Sequence, residues 1–461
     1  HWRITLEPSV ADAVGKPLLA RIGEAKPGPD HRVVHDVVVG DVWLLAGGSS
    51  CGRLVMGLPH ADTIAREFAA EPFRLVRTAV VPSKTAAEPV ADVKLAWSSI
   101  GTVDPMRILV EAAQLARAIA TDVNVPVGVI AIANPKPVEC WMSREALAAT
   151  PDAKPIVDFY AGDVWRGIKT GTYESRMKAW LDYNQKLPLN PLPKPKPDDD
   201  TTLPQQEPAS VWNGMVAALV PMSIRGIVWH HGEDWQSQNR AVHQGKLLGA
   251  MIPAWREVFR DSGLPFAVVQ LEPHRYATQI PGVGIDGRMA AELREAQREA
   301  AEQADAMFVT TIDLPVDPPS AMLARRIADV LHAGLPAKKS GPRLARAETQ
   351  GNRVVLTFTN TEGGLAASGG NLNGFAVAAS PMRWVWADAR IEGDTMVVSS
   401  PAVPKPEGVR YAWEDAPIHG ATLSNAKGHP ANPFRTDSHP LVTADNVTPD
   451  AFILRFNRRA H

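Results

Sequence analysis

The sequence predicts an α/β protein: a three-layer α/β/α domain with a mostly parallel sheet, flanked by an N-terminal β segment and a C-terminal β-sandwich. Three observations predict it. Continuous apolar runs of strand length alternate with helical spacing from Gly40 to about Ala337, which is typical of a parallel sheet covered on both faces. Short strands separated by turn residues follow Gly341. A turn-rich, β-leaning segment precedes Gly40.

Each predicted element rests on its apolar spacing. A β-leaning run predicts a strand at 32–39, and continuous apolar runs predict buried strands at 125–132, 223–229 and 266–271. Apolar residues at helical spacing predict helices at 106–120, 246–259, 289–304 and 320–332. Short alternating runs predict sandwich strands at 353–358, 375–377 and 395–400.

These elements divide the chain into four parts. Residues 1–36 are predicted to end an N-terminal β domain, 37–340 to form the α/β/α domain and 341–437 the β-sandwich, with a tail over 438–461. A proline-rich segment with three aspartates at 184–207 interrupts the α/β/α domain. Because such a segment buries little apolar area, we expect an exposed loop there.

Composition is that of an ordinary globular protein. The chain has 461 residues, 45% of them hydrophobic and 21% charged, and a net charge of -2. This balance gives no electrostatic case for binding nucleic acid or an anionic membrane, and no apolar run approaches the roughly 18 residues of a membrane span.

The first residues show no signal peptide, and we expect the chain to begin inside a domain. The two cysteines, Cys51 and Cys140, are predicted to be buried free thiols.

The run from Gly40 to Ser50 carries the clearest functional signal. An apolar strand leads into a small-residue turn that contains Ser49, a geometry that lifts a hydroxyl above the carboxyl end of a sheet. The run resembles the first block of the sialate O-acetylesterase-like branch of the SGNH hydrolases, G-[DE]-V-W-L-C-S-G-Q-S-N-M. Gly48 stands where that block has Gln, and Ser50 where it has Asn.

Further blocks extend this resemblance over nearly the whole chain. Residues 225–235 are similar to R-G-[VI]-[IL]-W-Y-Q-G-E-S-N, residues 266–273 to P-F-x-x-V-Q-L-A-P, and residues 293–297 match L-R-E-A-Q. Residues 125–143 resemble the second block, P-V-G-[LV]-I-x-x-x-[WY]-G-G-T-x-[AIV]-E-[AS]-W-x-S. The resemblance implies an SGNH (flavodoxin-like) fold, no cofactor, and a periplasmic or extracellular location.

The chemistry that the resemblance implies is ester hydrolysis on acetylated sugars. A serine attacks the acetyl carbonyl, and a histidine from a D-x-H-P motif takes its proton, because an unassisted serine is a weak nucleophile. The serine N–H, a glycine N–H of the second block and the asparagine of the third block bind the oxyanion. Losing one such donor costs on the order of 10²–10³ in rate.

This chain departs from the pattern at three of these positions. Asn134 and Pro135 align with the Gly-Gly pair, Trp235 with the asparagine, and Asp317 with the base histidine. Proline has no N–H, and an aspartate with a pKa near ~3.9 is a poor base for a hydroxyl. The sequence therefore predicts a protein that has lost hydrolysis and keeps a carbohydrate-binding or structural role.

A second hypothesis is an active carbohydrate O-acetylesterase with a relocated base. Ser49 would be the nucleophile, His231 the base, and Asp317 or Glu233 the orienting carboxylate, since triads are recognised by geometry rather than by chain order. Neighbouring strand residues face opposite sides, so only one of His230 and His231 can reach Ser49, and His231 is the expected one.

Other residues near the predicted site have alternative interpretations. Glu233 and Asp317 would be the acid and base if the protein were a glycosidase. Trp235 could stack on a sugar, and His274 could contact substrate from a loop over the pocket; Gly48, Ser50 and Asn134 are expected to line the same pocket. The sequence shows neither metal-ligand spacing nor a phosphate-binding loop, so the expected partner is a carbohydrate or acetylated glycan, without a metal or other cofactor.

Overall fold

A computed structural model describes residues 12–20, 32–70, 75–162, 172–186, 207–232, 241–273, 290–316, 318–379, 384–417 and 420–437. Its strands are β1 (Asp12–Ala20), β2 (Arg32–Val39), β3 (Asp41–Gly47), β4 (Val76–Val80), β5 (Ser98–Ser99), β6 (Val127–Ala133), β7 (Gly226–His230), β8 (Phe266–Val269), β9 (Met307–Val309), β10 (Arg343–Gln350), β11 (Arg353–Thr359), β12 (Leu365–Ala367), β13 (Phe375–Ala378), β14 (Trp384–Trp386), β15 (Asp388–Glu392), β16 (Thr395–Ser399), β17 (Gly408–Tyr411), β18 (Leu423–Asn425) and β19 (Phe434–Arg435). Its α-helices are α1 (Ala61–Ala70), α2 (Val110–Val123), α3 (Val138–Trp141), α4 (Arg144–Ala149), α5 (Lys154–Ala161), α6 (Tyr173–Lys186), α7 (Ala241–Val258), α8 (Ala290–Gln303) and α9 (Ser320–Ala333).

Strand β3 lies at the middle of a seven-stranded sheet with the order β5-β4-β6-β3-β7-β8-β9. All neighbouring strands in it are parallel except the edge pair β4 and β5. The carboxyl ends of β6, β3 and β7 therefore meet at one edge, where ligands bind in open α/β sheets. Within the described ranges, no helix is long and apolar enough to cross a membrane.

Alternate residues of the central strands pack into separate cores on the two faces of the sheet. Leu44 and Trp229 belong to a core built with helices α3 and α7. Leu45 and Val228 belong to a second core built with helices α1, α2 and α9. Burial on both faces explains why these strands are continuously apolar in sequence. The predicted three-layer α/β/α architecture is confirmed.

The predicted strands and helices lie where they were expected, with shifted ends. The predicted helix at 106–120 begins only at Val110, because Pro105–Arg107 forms a separate 3-10 turn capped by the Asp104 side chain. Residues 184–186, the first three of the predicted loop, belong instead to helix α6, which continues to Lys186. Residues 187–206 of that predicted loop lie outside the described residues.

The N-terminal segment contributes one antiparallel strand pair, β1 with β2. The predicted domain boundary between residues 36 and 37 falls inside β2, which runs on to Val39. One residue, Gly40, then separates β2 from the central strand β3. The predicted tail over 438–461 lies outside the described residues.

The C-terminal part contains two antiparallel four-stranded sheets, β10-β11-β16-β15 and β14-β13-β17-β19. Leu356 and Met396 of the first sheet share a buried core with Val377, Val409 and Tyr411 of the second. Two sheets that bury their inner faces against each other form a β-sandwich.

Arg294 of helix α8 joins this sandwich to the central domain. Its side chain is fully buried. The guanidinium donates to the carbonyl oxygens of Leu271 at 2.7 Å and Glu272 at 3.0 Å, just beyond β8. It also donates to the carbonyls of Glu414 and Asp415, each at 2.6 Å. A buried cation is tolerated because its donors are satisfied in this way.

Candidate active site

The turn after β3 places Ser49 at the surface of the sheet edge. Gly47 has a φ of +153°, and a Cβ on it would lie 1.9 Å from the His230 carbonyl oxygen. The Gly48 N–H donates to the same oxygen at 2.9 Å. Only glycine permits this close approach to β7. Ser49 then begins a 3-10 helix, Ser49–Gly52, with an exposed side chain.

Within the residues that the structure describes, the Ser49 hydroxyl and the Ser49 N–H have no hydrogen-bond partner. Ser49 is therefore exposed just after the end of β3, and no base contacts its hydroxyl in the same ranges. Such a base is what an esterase requires to activate its serine. Ser50, the next predicted pocket residue, is half-buried.

The turn after β6, where the second block supplies an oxyanion donor, is closed by its own hydrogen bonds. The buried Asn134 donates its N–H to the Gly47 carbonyl at 2.8 Å. Pro135 has no N–H, and the Lys136 N–H donates to Asn134 Oδ1 at 3.2 Å. The Asn134 amide donates to Ser83 Oγ at 3.5 Å. The three successive residues at 134–136 thus leave no backbone N–H for an oxyanion.

The His231 ring packs on the helical layer that contains Trp141. Its Nε2 lies 2.9 Å from the Lys136 carbonyl oxygen, a contact that reaches from the end of β7 to the turn after β6. The ring is stacked on Trp229, with centroids 5.2 Å apart and planes 9° apart. These contacts fix the ring and occupy Nε2. Its predicted role as the base for Ser49 stays a prediction.

His230, the last residue of β7, faces the opposite layer and is buried. Its Nε2 lies 3.2 Å from Glu272 Oε1. The Cys51 thiol donates to the His230 carbonyl at 3.5 Å. Burial disfavours the charged imidazole, but Glu272 and Cys51 together raise the pKa of His230 well above its usual value.

The pKa of the carboxylate in this pair shifts in the opposite direction. Burial disfavours the charged form of Glu272, but His230 lowers the pKa of that carboxyl below its usual value, with help from Arg53 and Arg294. Both shifts favour a charged pair. His230 is therefore held as part of an ion pair rather than as a free base.

A second ion pair lies beside the first. Arg53 Nε donates to Glu111 Oε1 at 2.9 Å, and Ser320 Oγ at the start of α9 lies 3.3 Å from the same oxygen. Glu111 is 6% exposed. Its burial raises the pKa of the carboxyl, although Arg53 opposes this. The layer under Ser49 is thus charged and internally paired.

Residues of the L-R-E-A-Q block hold the strand ends that carry these groups. Gln297 donates to the His231 carbonyl at 2.8 Å and accepts from the Leu271 N–H at 2.9 Å. Arg294 binds the Leu271 and Glu272 carbonyls. This block therefore positions the ends of β7 and β8.

Four predicted site residues lie outside the described residues: Glu233, Trp235, His274 and Asp317. Their predicted roles as orienting carboxylate, sugar-stacking surface, substrate contact and base-position residue stay predictions. Among the residues that are described, no group of three or more His, Cys, Asp or Glu side chains is placed to hold a metal ion.

The sequence prediction missed the cluster of Cys51, His230 and Glu272. One signal was available, because all three depart from the quoted blocks: Cys51 stands where the first block has Met, His230 where the third has Tyr, and Glu272 where P-F-x-x-V-Q-L-A-P has Ala. The three departures are neighbours in the fold, since Glu272 pairs with His230 and the Cys51 thiol donates to the His230 carbonyl.

A cavity of about 170 Å³ lies away from Ser49, between helix α8 and the C-terminal sandwich. Its charged lining residues are paired: Arg435 with Glu295 at 3.4 Å, and Arg343 with Glu302 at 3.0 Å. These pairs join the two parts of the molecule.

No family model matches the chain. Over 257 residues it is 26% identical to a sialate O-acetylesterase from Rattus norvegicus, which covers 52% of this chain and 45% of the relative. Over 253 residues it is 24% identical to a sialate O-acetylesterase from Homo sapiens, covering 52% of this chain and 40% of the relative. The chain thus spans less than half the length of these curated relatives.

A crystal structure of a carbohydrate acetylesterase from Xanthomonas citri has the same fold. It superposes with a TM-score of 0.67 at 24% identity, covering 89% of this chain and 83% of that one. The chain is therefore similar in sequence to sialate O-acetylesterases and has the fold of that carbohydrate acetylesterase.

Proposed function

We propose that this protein binds a carbohydrate, or supports a carbohydrate-bearing structure, without hydrolysing esters. The observation that carries the proposal is that both histidines at the end of β7 are engaged elsewhere. His230 pairs with Glu272, and His231 contacts the Lys136 carbonyl and the Trp229 ring. Serine hydrolysis needs an imidazole, or an equivalent base, within hydrogen-bond reach of the hydroxyl.

The turn after β6 supports the same proposal. Its N–H groups are bonded to the Gly47 carbonyl and to the Asn134 side chain, so of the donors named above only the Ser49 N–H is unbonded among the described residues. Donors that are already bonded do not stabilise developing charge on a substrate oxygen.

The carbohydrate part of the proposal comes from the relatives. The sequence relatives are named sialate O-acetylesterases. The solved structure with the same fold is named a carbohydrate acetylesterase. The ligand class proposed here is accordingly an O-acetylated or free acidic sugar at the edge formed by β6, β3 and β7. A location in the periplasm or outside the cell is part of the same proposal.

The test measures hydrolysis and binding separately. Turnover of p-nitrophenyl acetate and of an O-acetylated sialic acid is compared between the unaltered protein and its Ser49→Ala variant. We expect equal rates near the buffer background. A rate that disappears in the Ser49→Ala protein contradicts the loss of hydrolysis.

Binding is measured on a glycan array and by calorimetry with acetylated and deacetylated sialosides. We expect saturable binding to at least one carbohydrate class, retained in the Ser49→Ala variant. Absence of carbohydrate binding alongside absent hydrolysis overturns the binding role and leaves an architectural one.

The second candidate is an active carbohydrate O-acetylesterase. The observation that favours it is the exposed Ser49 at the nucleophile turn. If Ser49-dependent turnover is found, the His231→Ala variant decides whether the relocated base is His231. Unchanged turnover in that variant excludes His231 as the base.

A further inference from the structure

The turn that carries Ser49 ends on an arginine at the same edge of the sheet. Arg53 directly follows the 3-10 helix Ser49–Gly52. A Cβ on Gly52 would lie 2.7 Å from the Ala133 Cβ, so this turn packs closely against the end of β6. The Arg53 side chain is 48% exposed, and Ser49 is exposed as well. Solvent therefore reaches both residues beside the ends of β3 and β6.

Neighbouring elements fix both the backbone and the side chain of Arg53. Its carbonyl accepts a hydrogen bond from the Val110 N–H at 3.0 Å, at the start of α2. Its Nε donates to Glu111 Oε1 at 2.9 Å, and its Nη2 donates to the same oxygen. Ser320 Oγ, at the start of α9, lies 3.3 Å from that oxygen. Because the guanidinium is already held in place, a ligand that binds it pays less of the cost of ordering the side chain.

The bonds to Glu111 use one edge of the planar guanidinium. Nε and Nη2 form its side edge, and Nη1 and Nη2 form its end edge. Glu111 is buried, so the side edge is turned toward the interior. The exposed part of Arg53 therefore lies on the side away from Glu111. An arginine matches a carboxylate through two parallel N–H···O bonds.

The charges near Arg53 favour an anion. Arg53 and Arg294 both help to lower the pKa of Glu272, which places these three charges near one another. Burial disfavours the negative charge of Glu111 and raises the pKa of its carboxyl. Within the described ranges, three cationic side chains stand against two acidic ones: Arg53, His230 and Arg294 against Glu111 and Glu272. This excess of positive charge attracts an anionic group to the exposed guanidinium.

We propose that Arg53 is a specificity-determining residue whose guanidinium binds the carboxylate of the ligand, so that the protein selects a carboxylate-bearing sugar over a neutral one. The inference rests on the carbohydrate role proposed above and deepens it. A carboxylate gains both ionic attraction and paired hydrogen bonds from a guanidinium, whereas an ester or a hydroxyl gains no ionic attraction. Glu111 is the positioning residue, because it holds the guanidinium from the buried side.

The test compares one sugar with and without its carboxylate. The probes are the methyl glycoside of sialic acid and the carboxyl methyl ester of the same glycoside, and calorimetry gives their dissociation constants. We expect the unaltered protein to bind the acid at least ~10-fold more tightly than the ester, because hydrogen bonds to charged groups are the stronger ones.

The outcomes separate this inference from the carbohydrate role. Equal affinities for acid and ester, or binding confined to neutral sugars on the glycan array, overturn the inference and leave the carbohydrate role standing. Binding to no sugar at all overturns both.

The first variant is Arg53→Met, which removes the guanidinium and keeps an unbranched side chain. We expect the acid to lose its advantage over the ester. Arg53→Lys keeps the charge without the planar fork and should retain only part of the preference. The matched control is Arg390→Met in the sandwich, since Arg390 is 57% exposed and pairs with Glu392 at 2.7 Å. The control should keep the full preference. A preference that survives Arg53→Met, or that the control loses equally, overturns the inference.

A second variant guards against misfolding, because Arg53→Met leaves the buried Glu111 carboxylate without its arginine. The Arg53→Met/Glu111→Gln protein removes both charges of the pair, and urea unfolding checks that it is folded. It should bind acid and ester alike. A preference for the acid in this folded protein also overturns the inference.

Discussion

The ion pair between His230 and Glu272 should make the stability of this protein depend on pH. The informative change is Glu272→Gln, which removes the charge and keeps a side chain of the same shape. At 3.2 Å, two unit charges attract by about 5 kcal/mol for an effective dielectric constant of about 20. Desolvation of both groups offsets part of this, and breaking a buried pair by removing one partner costs about 3–5 kcal/mol. Glu272 is 25% exposed and glutamine still accepts a hydrogen bond, so we expect a loss of about 2 kcal/mol.

The sign of the pH dependence follows from the two shifts. The pKa of His230 is raised, so its contribution is complete below the ordinary histidine value of about 6.5 and is lost as the pH rises through the folded value. The pKa of Glu272 is lowered, so its contribution is complete above about 4.3 and is lost as the pH falls through its folded value. The difference between the two proteins should be largest between these limits and shrink at alkaline pH.

Urea unfolding followed by tryptophan fluorescence measures this difference. The comparison is made from about pH 6 upward, because the contribution is lost as the pH rises through the raised pKa of folded His230. The control is Glu392→Gln, which removes an exposed pair with Arg390 at 2.7 Å and should cost about 0.5 kcal/mol or less. A Glu272→Gln loss that is no larger than the control, or that does not change with pH, would refute the reasoning.

Three further substitutions test the packing that positions the site. Gly47→Ala should cost about 3 kcal/mol or more in unfolding free energy, because its Cβ would lie 1.9 Å from a carbonyl oxygen. The control is Gly57→Ala, whose Cβ would have nothing within 4 Å and which should change the unfolding free energy little. Equal losses in the two variants would contradict the argument. Arg294→Met should cost about 3 kcal/mol or more in unfolding free energy, because four carbonyls, three of them in buried contacts, lose their donor. Limited proteolysis should then be faster, and unchanged proteolysis would contradict the argument. Tyr411→Phe should cost about 1.5 kcal/mol in unfolding free energy, because the buried hydroxyl accepts a hydrogen bond from the Leu423 N–H at 2.9 Å. Hydrogen exchange at the Leu423 amide should become faster. Unaltered exchange would contradict a stabilising role for this bond.

The sequence was sufficient for the architecture because the signals were local. A continuous apolar run that ends in Gly47 and Gly48 predicts a central strand and a turn, and the structure has β3 at Asp41–Gly47. Helix ends were less predictable. The start of α2 at Val110 depends on a separate turn at Pro105–Arg107, which apolar spacing does not register.

The site was harder to predict because its contacts cross strands. Alternation along β7 correctly indicates that His230 and neighbouring residues face different layers. It cannot show that Glu272 reaches His230, since this depends on the register in which His230 pairs with Val269 of β8. It also cannot show that His231 reaches the Lys136 carbonyl across the end of β3. The pairing register of β7 with β8, rather than residue type, determines that His230 contacts a carboxylate and His231 does not.

Arg294 has a practical consequence for anyone who dissects this molecule. Its guanidinium is shared between the end of β8 and residues 414–415 of the sandwich. Deleting everything after Ser340 would remove two of its four acceptors and uncover the surface that packs on the sandwich. A shortened chain that fails to bind sugar would then show that this interface was damaged, not where the binding surface lies. Single substitutions in the intact chain are the sounder way to find that surface.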